Sequence, residues 1–185
     1  MTLWIETVYQ KLASIKIVAA SGVAYVLSQA AIGYLLLPVG HTDVLRLQLT
    51  LSSRTFIEIL NQWGDPSITT YINHFYLDYF HAVIYALFLS SAIAFLISRT
   101  GKRATLFNLG LFVSPWIAAL CDMTENTIHL YLIRNPQAIE SGLVIISGIG
   151  TWIKWSLAAI SIVVILVMLI NRGRIHEAGV IQDSR

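Results

Sequence analysis

Asp122, Glu125, Asn126 and His129 fall at i, i+3, i+4 and i+7 of a long apolar stretch, a spacing that sets four polar side chains on one face of a helix. Asp78, His81 and Tyr85, at i, i+3 and i+7 of another apolar stretch, form a second such face. Ser147, Thr151 and Lys154 make a third stripe, and Tyr25, Ser28 and Gln29 a fourth, weaker one. Carboxylates beside imidazoles suit proton transfer, because burial tunes a carboxyl toward the pH at which it can both give and take a proton. Asp122 or Glu125 is the expected acid or base, with Asp78 beside them and His81 or His129 moving protons. Asn126 is expected to orient a ligand, with Tyr85, Lys154, Thr151, Gln29 and Trp63 as further ligand contacts. The bland reading of each is also available. Asp78 and His129 lie near span ends where water reaches, and Asp122 with Lys154 makes a structural ion pair as readily as a catalytic one.

The elements that must carry these residues follow from composition. The chain has 185 residues, 56% hydrophobic and 12% charged, which calls for an apolar solvent. Four stretches, about 17–37, 77–98, 105–132 and 143–170, are long enough to cross a hydrocarbon core of roughly 30 Å. Pro38-Val39-Gly40, Arg99 to Arg103 and Arg134-Asn135-Pro136 separate them. The first follows Lys11 and Lys16 but is too long for a secretory leader and lacks a small-residue cleavage site, so it is expected to be retained. The expected fold is an all-α membrane protein, a single domain made of an antiparallel bundle of four transmembrane helices.

Lys11, Lys16, Arg99, Lys102, Arg103, Arg172, Arg174 and Arg185 outweigh Arg46, Arg54 and Arg134 across the membrane, which places both termini in the cytoplasm. Leu3, Trp4, Val8 and Leu12 share a stripe suited to a short interfacial helix. A net charge of +2, with the basic residues flanking apolar runs, argues against a nucleic-acid partner, and the single Cys121 excludes an internal disulfide.

The loop 39–76, expected outside the cytoplasm, reads as partly folded. Leu45, Leu47, Leu49 and Leu51 alternate with Arg46, Gln48 and Thr50, the period of a half-buried strand, for which Ser67 to Ile72 or a neighbouring subunit is the partner. Thr55-Phe56-Ile57-Glu58 has the form of a capping box and opens a short helix that Gly64 ends. Heptad spacings through Asn108, Pro115, Asp122 and His129, and through Ser147, Lys154 and Ser161, favour a polar seam. Pro115 is expected to free a carbonyl there, and Gly22, Gly33, Gly148 and Gly150 to permit close packing or make room for a ligand.

Leu47-Gln48-Leu49, Trp63-Gly64, Leu77-Asp78-Tyr79, Tyr85-Ala86 and Asp122-Met123-Thr124-Glu125-Asn126, in that order, resemble a family of small bacterial four-helix inner-membrane proteins. The likeness runs from Leu45 to His129, with the DxxEN pattern its most distinctive part. It implies the architecture and membrane but no substrate. Where that family has a proline soon after the second-span aspartate, this chain has His81 nearby.

Three functions fit these residues. The first is binding of a lipid or other apolar molecule in a polar pocket, with acid/base chemistry on it left open. The second is an accessory or assembly subunit, alone as a homo-oligomer or with a partner membrane protein. The third is an intramembrane metal site using Asp78-x-x-His81 and Glu125-x-x-x-His129; no cofactor is specified.

Overall fold

A computed structural model describes the backbone of residues 2–100, 105–140 and 142–183 and the side chains of 6–100, 105–140 and 142–171. Leu3, Trp4, Lys102, Arg103, Arg172, Arg174 and Arg185, used above for the interfacial stripe and the charge balance, lie outside the described side chains. Six α-helices follow one another: α1 (Thr2–Leu12), α2 (Ile15–Leu36), α3 (His41–Leu49), α4 (Ser53–Ser98), α5 (Leu106–Arg134) and α6 (Leu143–Asp183), with a 3-10 turn at Pro136–Ala138. Four stretches, Ile15–Leu36, Ser53–Ser98, Leu106–Arg134 and Leu143–Asn171, are long and apolar enough to cross a membrane.

The central helix is α4, which packs against α2, α5 and α6. Its most apolar window is 67% buried, against 17% for α2 and 11% for α6. The outer helices instead present Val26, Leu27, Val163 and Ile170 outward, as a lipid-facing surface requires. Small residues let the inner pair approach, since Ala82 and Ala86 of α4 lie in one cluster with Ala118 and Ala119 of α5. At one end α1 is tied down, its Tyr9 hydroxyl donating to the Ala94 carbonyl at 3.3 Å and its ring meeting Phe112 edge-on. Val8 and Leu12 join that contact while Glu6, Gln10 and Lys11 stay exposed, so the amphipathic reading of this helix holds for its described residues.

The region 39–76 differs from expectation in three ways, each with a physical cause. The expected strand over Leu45 to Leu51 is a helix through Leu49, and no strand occurs among the described residues. Val44, Leu47 and Gln48, at i, i+3 and i+4, are buried, whereas Leu45 and Leu51 are 43% and 49% exposed. The alternating leucines overlay a helical face, and Ser67 to Ile72, the proposed partner strand, belongs to α4. A lone strand would leave its backbone polar groups unpaired beside apolar helices, while a helix satisfies them internally.

The cap also shifts. Ser52, not Thr55, is the N-cap, its Oγ accepting from the Thr55 N–H at 3.3 Å, and Glu58 pairs instead with Arg54 one turn away at 2.9 Å. Gly64 does interrupt the helix, with φ 67 and ψ 173, a conformation open to glycine. The chain then resumes as helix at once, with Pro66 in its first turn, where a missing N–H costs nothing. The helix that carries the second span thus begins well before residue 77.

Pro115 sits inside α5 without a break in the helix. Its ring removes the donor that would bond the Leu111 carbonyl, and the Ser114 hydroxyl donates to that oxygen at 2.9 Å instead. Ser114 also lies 3.3 Å from Ser161 of α6, so the freed carbonyl is drawn into a contact between helices.

Candidate functional site

The polar faces read from the spacing on α4, α5 and α6 are buried, while on α2 only Ser28 is, and the helices bring them together. Ser28 Oγ of α2 shares a hydrogen bond of 2.8 Å with His81 Nδ1 of α4. From α5, Asn126 Nδ2 donates to Asp78 Oδ2 at 2.9 Å. Lys154 Nζ of α6 donates to both Asp122 Oδ1, at 2.8 Å, and Glu125 Oε2, at 2.6 Å. The i, i+3 and i+4 offsets along α5 aim two carboxylates at α6 and the amide at α4, so one helix serves two neighbours.

Charge does not balance in this cluster. Asp78, Asp122 and Glu125 face one lysine, and Asp78 forms no ion pair among the described residues. Several buried polar atoms also have no hydrogen-bond partner there: Tyr85 Oη, Glu125 Oε1, Asn126 Oδ1, Ser147 Oγ and Trp63 Nε1. Such atoms are costly in an apolar interior, and of their residues only Tyr85 lines the cleft beside them.

Beside the cluster is a cleft of about 520 Å³ between α2, α3, α4 and α6. Its lining is apolar over Ile32, Gly33, Leu36, Val44, Phe88, Leu89, Ala158 and Ile162. Asp78, His81, Tyr85, Asp122 and Lys154 with Gln29, all expected from the spacing, line it too. A volume of this size, mainly apolar with a few convergent polar groups, has the character of a small-molecule site.

Other expected residues lie off the cleft. Glu125 and Asn126 stand behind it and act on Lys154 and Asp78. Thr151 donates to the Ser147 carbonyl at 3.1 Å. His129 shares a 2.8 Å hydrogen bond with the Tyr71 hydroxyl and packs edge-on against Phe56, and Trp63 meets Tyr71 edge-on at 5.0 Å. His129, Phe56 and Trp63 belong to an aromatic group around Tyr71 and do not line the cleft, which the group adjoins through His74.

Three polar lining residues escaped the sequence reading of the site, His41, Gln48 and His74. Tyr71, His74, Asp78, His81 and Tyr85 continue one helical stripe, which a reading confined to residues 77–98 cuts short. His74 donates from Nδ1 to the Tyr71 carbonyl, one turn back. Gln48 was hidden by the apparent strand alternation, which pointed it away from the leucines that the helix in fact sets beside it.

The pairs suggested for a metal are divided among other partners: His81 with Ser28, Glu125 with Lys154, His129 with Tyr71. Among the described residues no group of three or more His, Cys, Asp or Glu is placed to hold a metal ion. Comparison with family models, with curated proteins and with solved structures finds no match to the chain.

Proposed function

We propose that this protein holds an apolar-tailed molecule within the membrane, with the tail along the α2 wall of the cleft and the polar group against Asp78, Asp122 and Lys154. The observation that carries this reading is the cleft itself, about 520 Å³ with a mainly apolar lining that also includes ionisable side chains. An amphiphile matches both kinds of lining, and membrane lipid is its nearest source.

In this reading the four spans form an antiparallel bundle. Support comes from cross-contacts whose residue numbers run in opposite senses: Ser21 meets Ser91 and Ser28 meets His81, while Ser114 meets Ser161 and Asp122 meets Lys154. The balance of basic residues puts both termini in the cytoplasm and α3 on the opposite side, as in a bacterial inner membrane. Any proton exchange with the bound polar group falls to Asp78, because Lys154 already holds Asp122 and Glu125.

The test uses Gly33, where an added Cβ would meet nothing within 4 Å. Native mass spectrometry of gently extracted protein should find a lipid-sized adduct on the wild type that Gly33→Leu, equally folded, loses. No adduct on the wild type, or one that Gly33→Leu leaves intact, would overturn the reading.

A further inference from the structure

We infer that the polar group accepted by the cleft is a cation, an ammonium carried on an apolar tail and seated against Asp78. The inference rests on the amphiphile-binding reading above and adds the chemistry of the headgroup.

The first argument is charge. Lys154 is shared by Asp122 and Glu125, so those three groups carry one negative charge in excess when ionised. Asp78 adds another, and its one hydrogen-bond donor among the described residues is the neutral amide of Asn126 at 2.9 Å. Isolating an ionised carboxylate from water is expensive, so Asp78 takes up a proton unless a cation or strong donors meet it, and an arriving ammonium replaces that proton. Asp78 lines the cleft, so an arriving cation can reach it.

The second argument is the company Asp78 keeps. Tyr25, Tyr85 and Phe88 line the same cleft, and aromatic faces attract cations. Tyr85 is 8% exposed, and its buried hydroxyl, set beside Asp122, has lone pairs free to accept from an N–H donor. Of the two buried histidines lining the cleft, His81 has its Nδ1 engaged with Ser28 and His74 has its Nδ1 engaged with the Tyr71 carbonyl. An anionic headgroup would meet two carboxylates and a lysine already bonded to both its acids. A neutral alcohol could donate to Asp78 but would leave the excess charge in place.

Three probes with the same dodecyl tail separate these cases: dodecylamine, dodecanol and dodecanoate, titrated into the full chain in nonionic detergent and followed by native mass spectrometry. The wild type should bind the amine about tenfold or more tighter than the alcohol, the scale of one partly desolvated ion pair. Asp78→Asn should bring the amine down to the alcohol's affinity, with alcohol binding showing that the fold survives, and Asp78→Glu should keep the preference. Equal binding of amine and alcohol to the wild type, preference for dodecanoate, or an amine preference that survives Asp78→Asn would overturn the cation assignment while leaving the cleft reading standing. Failure of all three probes to bind, or binding of all three unchanged by Gly33→Leu, would overturn the cleft reading and the cation with it.

Discussion

Lys154 on α6 reaches Glu125 on α5 at 2.6 Å, with the glutamate side chain fully removed from solvent. That contact, together with the bond from the same Nζ to Asp122, is the main ionic link between these helices. A buried cation held by two acids makes loss of the cation more damaging than loss of the whole set. Lys154→Met should therefore destabilise the protein by about 3–5 kcal/mol, the cost of breaking one side of a buried ion pair. Adding Asp122→Asn and Glu125→Gln to it should recover most of that loss. Unfolding in detergent, monitored by helical circular dichroism, checks both, and a triple variant no better than the single one would contradict the argument.

Gly148 and Gly33 lie on helices, yet a methyl group should act on them in opposite directions. A Cβ at Gly148 would come within 2.5 Å of the Thr50 carbonyl oxygen and 2.6 Å of Leu51, and a backbone atom cannot swing aside. Gly148→Ala should cost about 1–3 kcal/mol through overpacking where the α3–α4 connection crosses α6. Gly33→Ala has open space and should stabilise by about 0.5–1 kcal/mol, the helix preference of alanine over glycine. The same unfolding measurement on the pair checks the contrast.

The cap of α4 distinguishes Ser52 from Thr55. Ser52→Ala removes the side chain that accepts the Thr55 N–H and should cost about 1 kcal/mol. Thr55→Ala should cost less, since its hydroxyl does not cap. Faster amide exchange confined to the first turn of α4 in Ser52→Ala alone is the expected signature.

Tyr71 and His129 are both fully buried and hydrogen-bonded to each other, and the Tyr71 hydroxyl also meets Gln48. Tyr71→Phe leaves the His129 nitrogen without that partner and should cost about 1–3 kcal/mol. In a His129→Phe background the same change should cost clearly less, because no nitrogen remains to be stranded. Additive losses across the four proteins of this cycle would mean that the hydrogen bond contributes nothing beyond packing.

Much of this protein is local in origin and so was legible in its residues. Hydropathy sums over a window, which is why four membrane-length helices were expected and found, and polar faces recur at helical spacing, which is why His81, Asp122, Glu125, Asn126, Ser147, Thr151 and Lys154 were expected to face an interior and are buried; Asp78, near a span end, could be read either way and is buried too. The glycines show where local reading stops: Gly148 serves packing while Gly33 faces open space at the cleft, and nothing in their neighbours along the chain separates them.

What the tertiary structure decided depends on residues far apart in sequence. Whether Leu45 to Leu51 is strand or helix could not be settled by a short pattern that fits both; the surroundings chose the conformation that satisfies its own backbone. Spacing along α5 set Asp122 and Glu125 on one face, but only the approach of α6 bound both to Lys154 and left Asp78 with an amide for company. The division into cleft wall and buried support followed from the same packing, because side-chain order along a helix carries no information about which helix lies opposite.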